Sequence, residues 1–390
     1  MRYALGLDTL PEDADSATLV GRAWLPAAAG PAVITLRAGR VHDVTAHWPT
    51  VSLLLAEADP AAALRRADGP DIGAVADLLA NSVPDGQDKA RPHLLAPCDL
   101  QAVKAAGVTF VRSMLERVIE EQAKGDPAAA EGVRHIMQAE IGDDLRAVRP
   151  GSPEALRLKQ ALVARKLWSQ YLEVGIGPDA EIFTKAQPLS SVGTGAEIGI
   201  HPVSTWNNPE PEVVLAIGPD GAIKGAALGN DVNLRDVEGR SALLLGKAKD
   251  NNGSCAIGPF IRLLGQGYGL DDIRQAAVTL TVEGDDGFRL EGTSLLGEIS
   301  RDITDIAGQA IGPNHQYPDG LVLFTGTMFA PIEDRDAPGQ GFTHKLGDIV
   351  TIASPRLGRL VNRVNRSDRI PPWEFGVAAL MRNLSARKRL

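Results

Sequence analysis

The sequence has little cysteine: Cys98 and Cys255 are its only two. Two thiols cannot staple a chain of 390 residues, so both read as buried thiols of a reducing, cytoplasmic compartment. Long apolar runs are absent too, and nothing approaches the ~20 apolar residues a membrane-spanning helix needs. The opening stretch, MRYALGLDTLPEDADS, carries acids and lacks an apolar segment, so no signal peptide is expected. Excess basic charge is missing as well. The net charge of −9 argues against nucleic acid as a partner. What remains is 44% hydrophobic and 23% charged, an ordinary globular balance in a chain long enough for two domains.

What the chain does have is concentrated between Asn208 and Pro259. Glu210 and Glu212 stand two apart at the head of an apolar run, Val213 to Ile217. On a strand, residues two apart leave the same face. A second strand-like run, Ala222 to Leu228, follows the turn sequence Gly218-Pro219-Asp220-Gly221. Closing a hairpin there returns Asp231 to the end of the sheet that carries the two glutamates. Three convergent carboxylates repel one another unless a cation sits among them. An all-oxygen set suits a hard divalent ion such as Mg2+. By themselves, two glutamates at this spacing are as readily a solvated strand face. The polar run that follows them, Asn230-Asp231 through Arg235-Asp236, and then Lys249, favours the cation site.

The order of these pieces resembles the fumarylacetoacetate hydrolase superfamily. Glu210-x-Glu212 is followed by Gly229-Asn230-Asp231-Val232 and Arg235-Asp236, then by Ala248-Lys249, Cys255 and Gly258-Pro259. Phe183-Thr184-Lys185 lies upstream. Thr325-Gly326-Thr327, Leu346 to Val350 and Leu357 to Asn362 follow downstream. The resemblance spans roughly Leu95 to Val364, with one long interruption, and rests on the order of six motifs rather than on any one.

One departure narrows it. Hydrolases of this family carry G-x-N-Y-x-x-H-x-x-E, a His and Glu on one helix face that activate water. Here the stretch from Gly107 to Glu116 keeps Glu116, but Ser113 stands in the His position. A serine hydroxyl is no general base near neutral pH. The chain therefore most resembles the sugar-acid dehydratases of the superfamily, which act on 2-keto-3-deoxy-pentonates such as 2-keto-3-deoxy-D-xylonate and release 2,5-dioxopentanoate in oxidative pentose catabolism. The resemblance implies a divalent cation, Mg2+ or else Mn2+, held by Glu210, Glu212 and Asp231. That cation would stabilise an enolate as a Lewis acid. Glu116 and Lys249 become the acid–base candidates, with Lys247 a competitor for the lysine. Ser113, Lys185, Arg235 and Thr327 become substrate-site candidates, and Asp236 a partner for Arg235. A small-molecule sugar acid is the implied partner, and a homodimer or homotetramer the implied assembly. The rival reading is an acylpyruvate or fumarylacetoacetate-type C–C hydrolase; a non-enzymatic descendant is disfavoured by the four retained residues.

The expected fold is β-rich α+β, a rolled mixed β-sandwich of the fumarylacetoacetate hydrolase type rather than a Rossmann architecture. Residues 1–95 read as a smaller N-terminal domain without a catalytic constellation, and 96–390 as the catalytic domain. In the first, Ala17 to Leu25 and Ala32 to Val44 read as strands, and Thr50 to Glu57, Pro60 to Ala67 and Ile72 to Ala80 as helices. A helical insert is expected over about 117–175, with helices at Pro127 to Arg146 and Pro153 to Val174 and an N-cap at Ser152. It reads as a lid, an oligomer contact or a plain packed hairpin.

Overall fold

In a computed structural model of the chain, the described residues are 3–107, 109–110, 149–327, 333–336 and 341–390. Ser113, Glu116 and the helix expected over Pro127 to Arg146 lie outside them. Among the described residues, strands form two sheets.

The larger, eleven-stranded sheet takes β1 Leu19–Leu25, β2 Gly30–Arg37, β3 Arg40–Asp43, β4 Asp71–Ala74, β5 His93–Leu95, β6 Ala102–Gly107, β7 Glu181–Ala186, β9 Pro211–Ile217, β10 Ile223–Asp231, β11 Cys255–Leu263 and β14 Leu321–Phe324. Its order is β4-β3-β2-β1-β11-β10-β9-β14-β6-β7, with β5 on β1. The five-stranded sheet runs β13-β12-β15-β16-β8, from β8 Glu197–Ile200, β12 Ala277–Glu283, β13 Arg289–Leu295, β15 Ile349–Ser354 and β16 Gly358–Arg366. Most pairs are antiparallel, and β14 with β6 and β16 with β8 are parallel, so both sheets are mixed.

The central strand explains the layering. All seven residues of β9 are buried, but alternate ones face different cores. Val213, Leu215 and Ile217 pack with Leu280, Val350, Ile352 and Leu360 of the second sheet. Val214 and Ala216 pack with Ala105, Ala227, Ile257 and Phe324, inside the roll of the first. Each fully buried aliphatic side chain of this kind contributes ~1.5–3 kcal/mol. Glu210 and Glu212 share the parity of Val214. Asp231 shares that of Ala227 on β10. The carboxylates therefore close the open end of the roll's apolar interior.

The N-terminal residues do not stand apart from this sheet. Leu19 and Val20 on β1 pair with Arg262 and Ile261 on β11, so the sheet runs across the sequence division at residue 95. Phe260, Ile349 and Val361 lie in one core with Leu19, Ala23 and Ile34.

Local differences from the sequence reading have local causes. The run Ala32 to Val44 is two strands, because Ala38 and Gly39 turn the chain with φ of 46° and 71°. The run from Ile72 begins as β4 on the edge of β3, and only then becomes helix, Val75–Ala80. Helices α1 Val51–Leu55, α2 Pro60–Arg66 and α3 Val75–Ala80 accompany the N-terminal strands. Pro153 to Val174 is not one helix but α4 Pro153–Ala164 and α5 Gln170–Ile176. Lys166, at φ 60°, breaks the turn, and the Ser169 hydroxyl caps α5 by accepting from Leu172 N. Ser152 caps α4, its hydroxyl accepting from Ala155 N at 3.2 Å. No helix among the described residues is long and apolar enough to cross a membrane.

Candidate active site

The hairpin forms as its sequence requires. Glu212 on β9 pairs with Gly229 on β10, and Asp231 N donates to Glu210 O at 3.0 Å. Gly229 is bare because a Cβ there would meet Phe324 and Val214 at 2.3 and 2.4 Å. One oxygen each from Glu210, Glu212 and Asp231 can be chosen so that all lie within 4.8 Å of one another. The three residues are 5%, 3% and 2% exposed. Buried carboxylates at such spacing are a costly arrangement without positive charge among them.

Two lysines supply part of that charge. Lys249 ends α7 Leu245–Lys249, just beyond α6 Arg235–Glu238. Its Nζ lies 2.5 Å from Glu210 Oε2 and 3.1 Å from Asp231 Oδ2. Lys185 Nζ lies 2.8 Å from Asp231 Oδ1, and donates to Val232 O at 3.0 Å and Lys249 O at 2.5 Å. All three of its protons are thus directed into the protein. Lys185, expected against substrate, is enclosed behind Asp231 instead and sets that carboxylate.

Electrostatics follow. Burial pushes the Lys249 ammonium toward neutrality, but Asp231 and Glu210 outweigh it and hold the group well above an ordinary lysine. Burial raises Glu212, and Asp231 and Glu210 raise it further. Asp231 resists its burial and stays low because Lys185 and Lys249 flank it. Gly326 N holds Glu212, donating to its Oε2 at 2.6 Å.

That donor comes from the turn after β14. Gly326 has φ of 90°, and a Cβ there would fall 2.0 Å from Thr109 Oγ1, so only glycine fits the turn. Thr109 Oγ1 donates to Thr325 O at 2.6 Å, and Thr327 Oγ1 to Pro211 O at 3.1 Å. Thr327 lines a narrow cleft with Phe183, Glu210, Glu212, Asp231 and Lys249.

The other sequence candidates separate. Lys247 is exposed and its Nζ is 3.4 Å from His201 Nε2, which leaves Lys249 as the site lysine. The Arg235 guanidinium stacks on the Trp206 ring at 4.2 Å. Asp236, expected to hold Arg235, instead accepts from Ser204 Oγ at 2.7 Å and Thr205 N at 2.8 Å. Glu173, spaced from Gln170 like a catalytic dyad, accepts from Lys159 and Trp168 within the insert.

Three residues were missed. Asn233 Nδ2 donates to Glu210 Oε1 at 3.0 Å and to Glu238 Oε2 at 2.5 Å. Glu238 and Glu181 both line the cleft. The signal for Glu181 is the period of β7: Glu181, Phe183 and Lys185 are two apart. Asn233 and Glu238 carry no comparable signal, since the helix Arg235–Glu238 brings them together.

A family model described as "Fumarylacetoacetate (FAA) hydrolase C-terminal" matches residues 171–365, half of the chain. The chain is 26% identical over 276 residues to the "2-dehydro-3-deoxy-D-arabinonate dehydratase" of Saccharolobus solfataricus, covering 67% of this chain and 88% of that one. It is 30% identical over 194 residues to the "Probable 2-keto-3-deoxyxylonate dehydratase" of Haloferax volcanii, covering 50% of this chain and 63% of that one. A solved structure of 2-keto-3-deoxy-D-arabinonate dehydratase complexed with magnesium and 2,5-dioxopentanoate shares the fold, with a TM-score of 0.61, 20% identity and coverage of 89% and 99%.

Proposed function

The chain belongs to the fumarylacetoacetate hydrolase family, and on that premise we propose that it is a divalent-cation-dependent hydro-lyase removing water from 2-keto-3-deoxy-D-xylonate (2-dehydro-3-deoxy-D-arabinonate) to give 2,5-dioxopentanoate. It serves pentose catabolism in the cytoplasm, as a homodimer or homotetramer. One observation carries the reading. A protonated lysine, Lys249, sits against two members of a buried carboxylate triad within one small cleft. Likeness to a dehydratase over most of its length supports the substrate.

The residues fit a cation. Their oxygens are close enough to share one, and Glu212 is raised by its burial and then by the like charges of Asp231 and Glu210, a strain that a cation would relieve. Glu210, Glu212 and Asp231 would hold Mg2+ or Mn2+, a Lewis acid that polarises the 2-oxo group and offsets negative charge developing there.

The chain's own groups do the rest. Dehydration requires a base for the C3 proton and an acid for the departing C4 hydroxyl. Lys249 carries a positive charge held against Glu210 and Asp231, suited to charge on the C2 oxygen, and is the candidate donor to that hydroxyl. Glu116 is assigned as the base. Lys185 fixes Asp231, and Gly326 N fixes Glu212. The turn Thr325–Thr327 is assigned to the substrate's carboxylate end and Ser113 to the substrate site, and Arg235, stacked on Trp206, steadies the corner ahead of α6.

The test is an assay with 2-keto-3-deoxy-D-xylonate, with Mg2+ or with EDTA, following 2,5-dioxopentanoate through a coupled semialdehyde dehydrogenase. Product that needs the metal supports the assignment. Cleavage of an acylpyruvate instead, with no dehydration, would make the chain a C–C hydrolase.

A further inference from the structure

We infer that Glu181 and Glu238 make the cleft select 2-oxo acids whose far end is neutral and hydroxylated over those whose far end is a second carboxylate. The inference rests on the activity proposed above and extends it at the same site.

Both carboxylates line the cleft that holds the triad and Lys249. Both also line a wider space outside it, bounded by Gln170, Tyr171 and Arg240. They therefore stand where the inner cleft meets the outer one. Among the described residues, Leu245 is the other residue common to both.

Each is placed by a specific device. The Asn233 amide donates to Glu238 Oε2 at 2.5 Å and to Glu210 Oε1 at 3.0 Å, so one buried side chain fixes Glu238 relative to the triad. Glu181 opens β7 opposite Gly107 on β6. A Cβ at Gly107 would lie 1.9 Å from Glu181 Oε2 and 2.7 Å from its carboxyl carbon. The bare backbone of Gly107 is the room in which the Glu181 carboxylate lies.

A 2-oxo acid engaged at the triad through its C1 and C2 oxygens has its remaining carbons to place toward this mouth. A hydroxyl there donates to a carboxylate oxygen, a charge-assisted bond. A second carboxylate there meets two groups of its own sign, while Arg240 lines only the outer space, and partial burial makes that repulsion larger than in water. Discrimination by repulsion needs no added contact with the preferred ligand.

The test is calorimetric, on the full chain with Mg2+ present, using two unreactive acids of equal length: 2-oxopentanoate and 2-oxoglutarate. The wild type should bind 2-oxopentanoate tighter by ~10-fold or more at low salt, and the ratio should narrow as NaCl screens the repulsion. Glu181→Gln and Glu238→Gln should each tighten 2-oxoglutarate and narrow the ratio. A wild-type ratio near one at low salt overturns the inference, whether or not the variants fold. So does a ratio that neither salt nor either variant moves, or failure of both acids to bind while Mg2+ binds. Failure of the dehydratase assay with the selectivity intact would count against the proposed reaction alone.

Discussion

Lys185 Nζ lies 2.8 Å from Asp231 Oδ1, and the two side chains are 0% and 2% exposed. Their strands, β7 and β10, are separated in the sheet by β9, β14 and β6. The pair can form only because the sheet rolls until its β7 edge faces β10. A parallel bridge between Val192 and Ala256 on β11 joins the same two regions of the roll. The ion pair is thus both a strut across the roll and the support of one carboxylate in the site.

Removing that strut should be expensive. Lys185→Met leaves Asp231 buried with half its positive charge gone, and a broken buried pair typically costs about 3–5 kcal/mol. Urea denaturation in EDTA should show a loss of that order. Saturating Mg2+ should return part of it, because the cation brings charge back to Asp231. A loss below ~1 kcal/mol would mean that Lys249 alone neutralises the group.

Glu212 behaves in the opposite sense. Burial raises it, and Asp231 and Glu210 add to that, while among the described residues Gly326 N is its one backbone donor. A glutamine there can still accept from Gly326 N and removes one of three like charges. In EDTA, Glu212→Gln should melt no lower than the wild type. In Mg2+ it should lose at least ~10-fold in metal affinity and nearly all turnover. A variant that melts lower in EDTA would show that Glu212 is stabilising rather than strained.

These two residues also show what could be read from sequence. Glu210, Glu212 and Asp231 converge through a strand period and one hairpin, both local rules, and the stretch from Glu210 to Asp231 was enough to place them. Lys249 follows from motif order. The position of Lys185 does not, because facing Asp231 depends on the roll of the whole sheet. Glu238 and Asn233 fall together only after the turn into α6. In the N-terminal region, an Ala-Gly turn is a weak hairpin signal, and β4 is strand because β3 offers an edge to pair with. Ser113 and Glu116 lie outside the described residues.

His344 should give stability a pH dependence of known sign. It is buried, with Nδ1 3.0 Å from Asn207 Oδ1. Burial, and then the Arg335 guanidinium, hold its pKa down to about 3. The unfolded chain protonates this group near ~6.5, the folded chain only near 3, so its contribution is complete above ~6.5 and is lost as pH falls through that window. Between pH ~7 and ~5 the wild type should lose about 2 kcal/mol more than His344→Gln, measured by urea midpoints. Parallel losses would mean that the imidazole takes up its proton without unfolding.

Lys249 separates cation binding from chemistry. Its ammonium stands 2.5 Å from Glu210 and 3.1 Å from Asp231, so it neutralises two of the groups assigned to the cation. Lys249→Met removes that charge and leaves the carboxylates more dependent on an external one. The metal-free protein should therefore melt lower than wild type, and Mg2+ should raise its melting temperature by more than it raises the wild type's, through tighter binding. Turnover should fall by ~10²–10⁴, the range for loss of a positioned proton donor. Lys249→Arg should restore the metal-free stability but not the rate, because a guanidinium keeps its charge and does not give up a proton. Retained activity in Lys249→Met would exclude the lysine from proton transfer and leave that step to another group in the cleft.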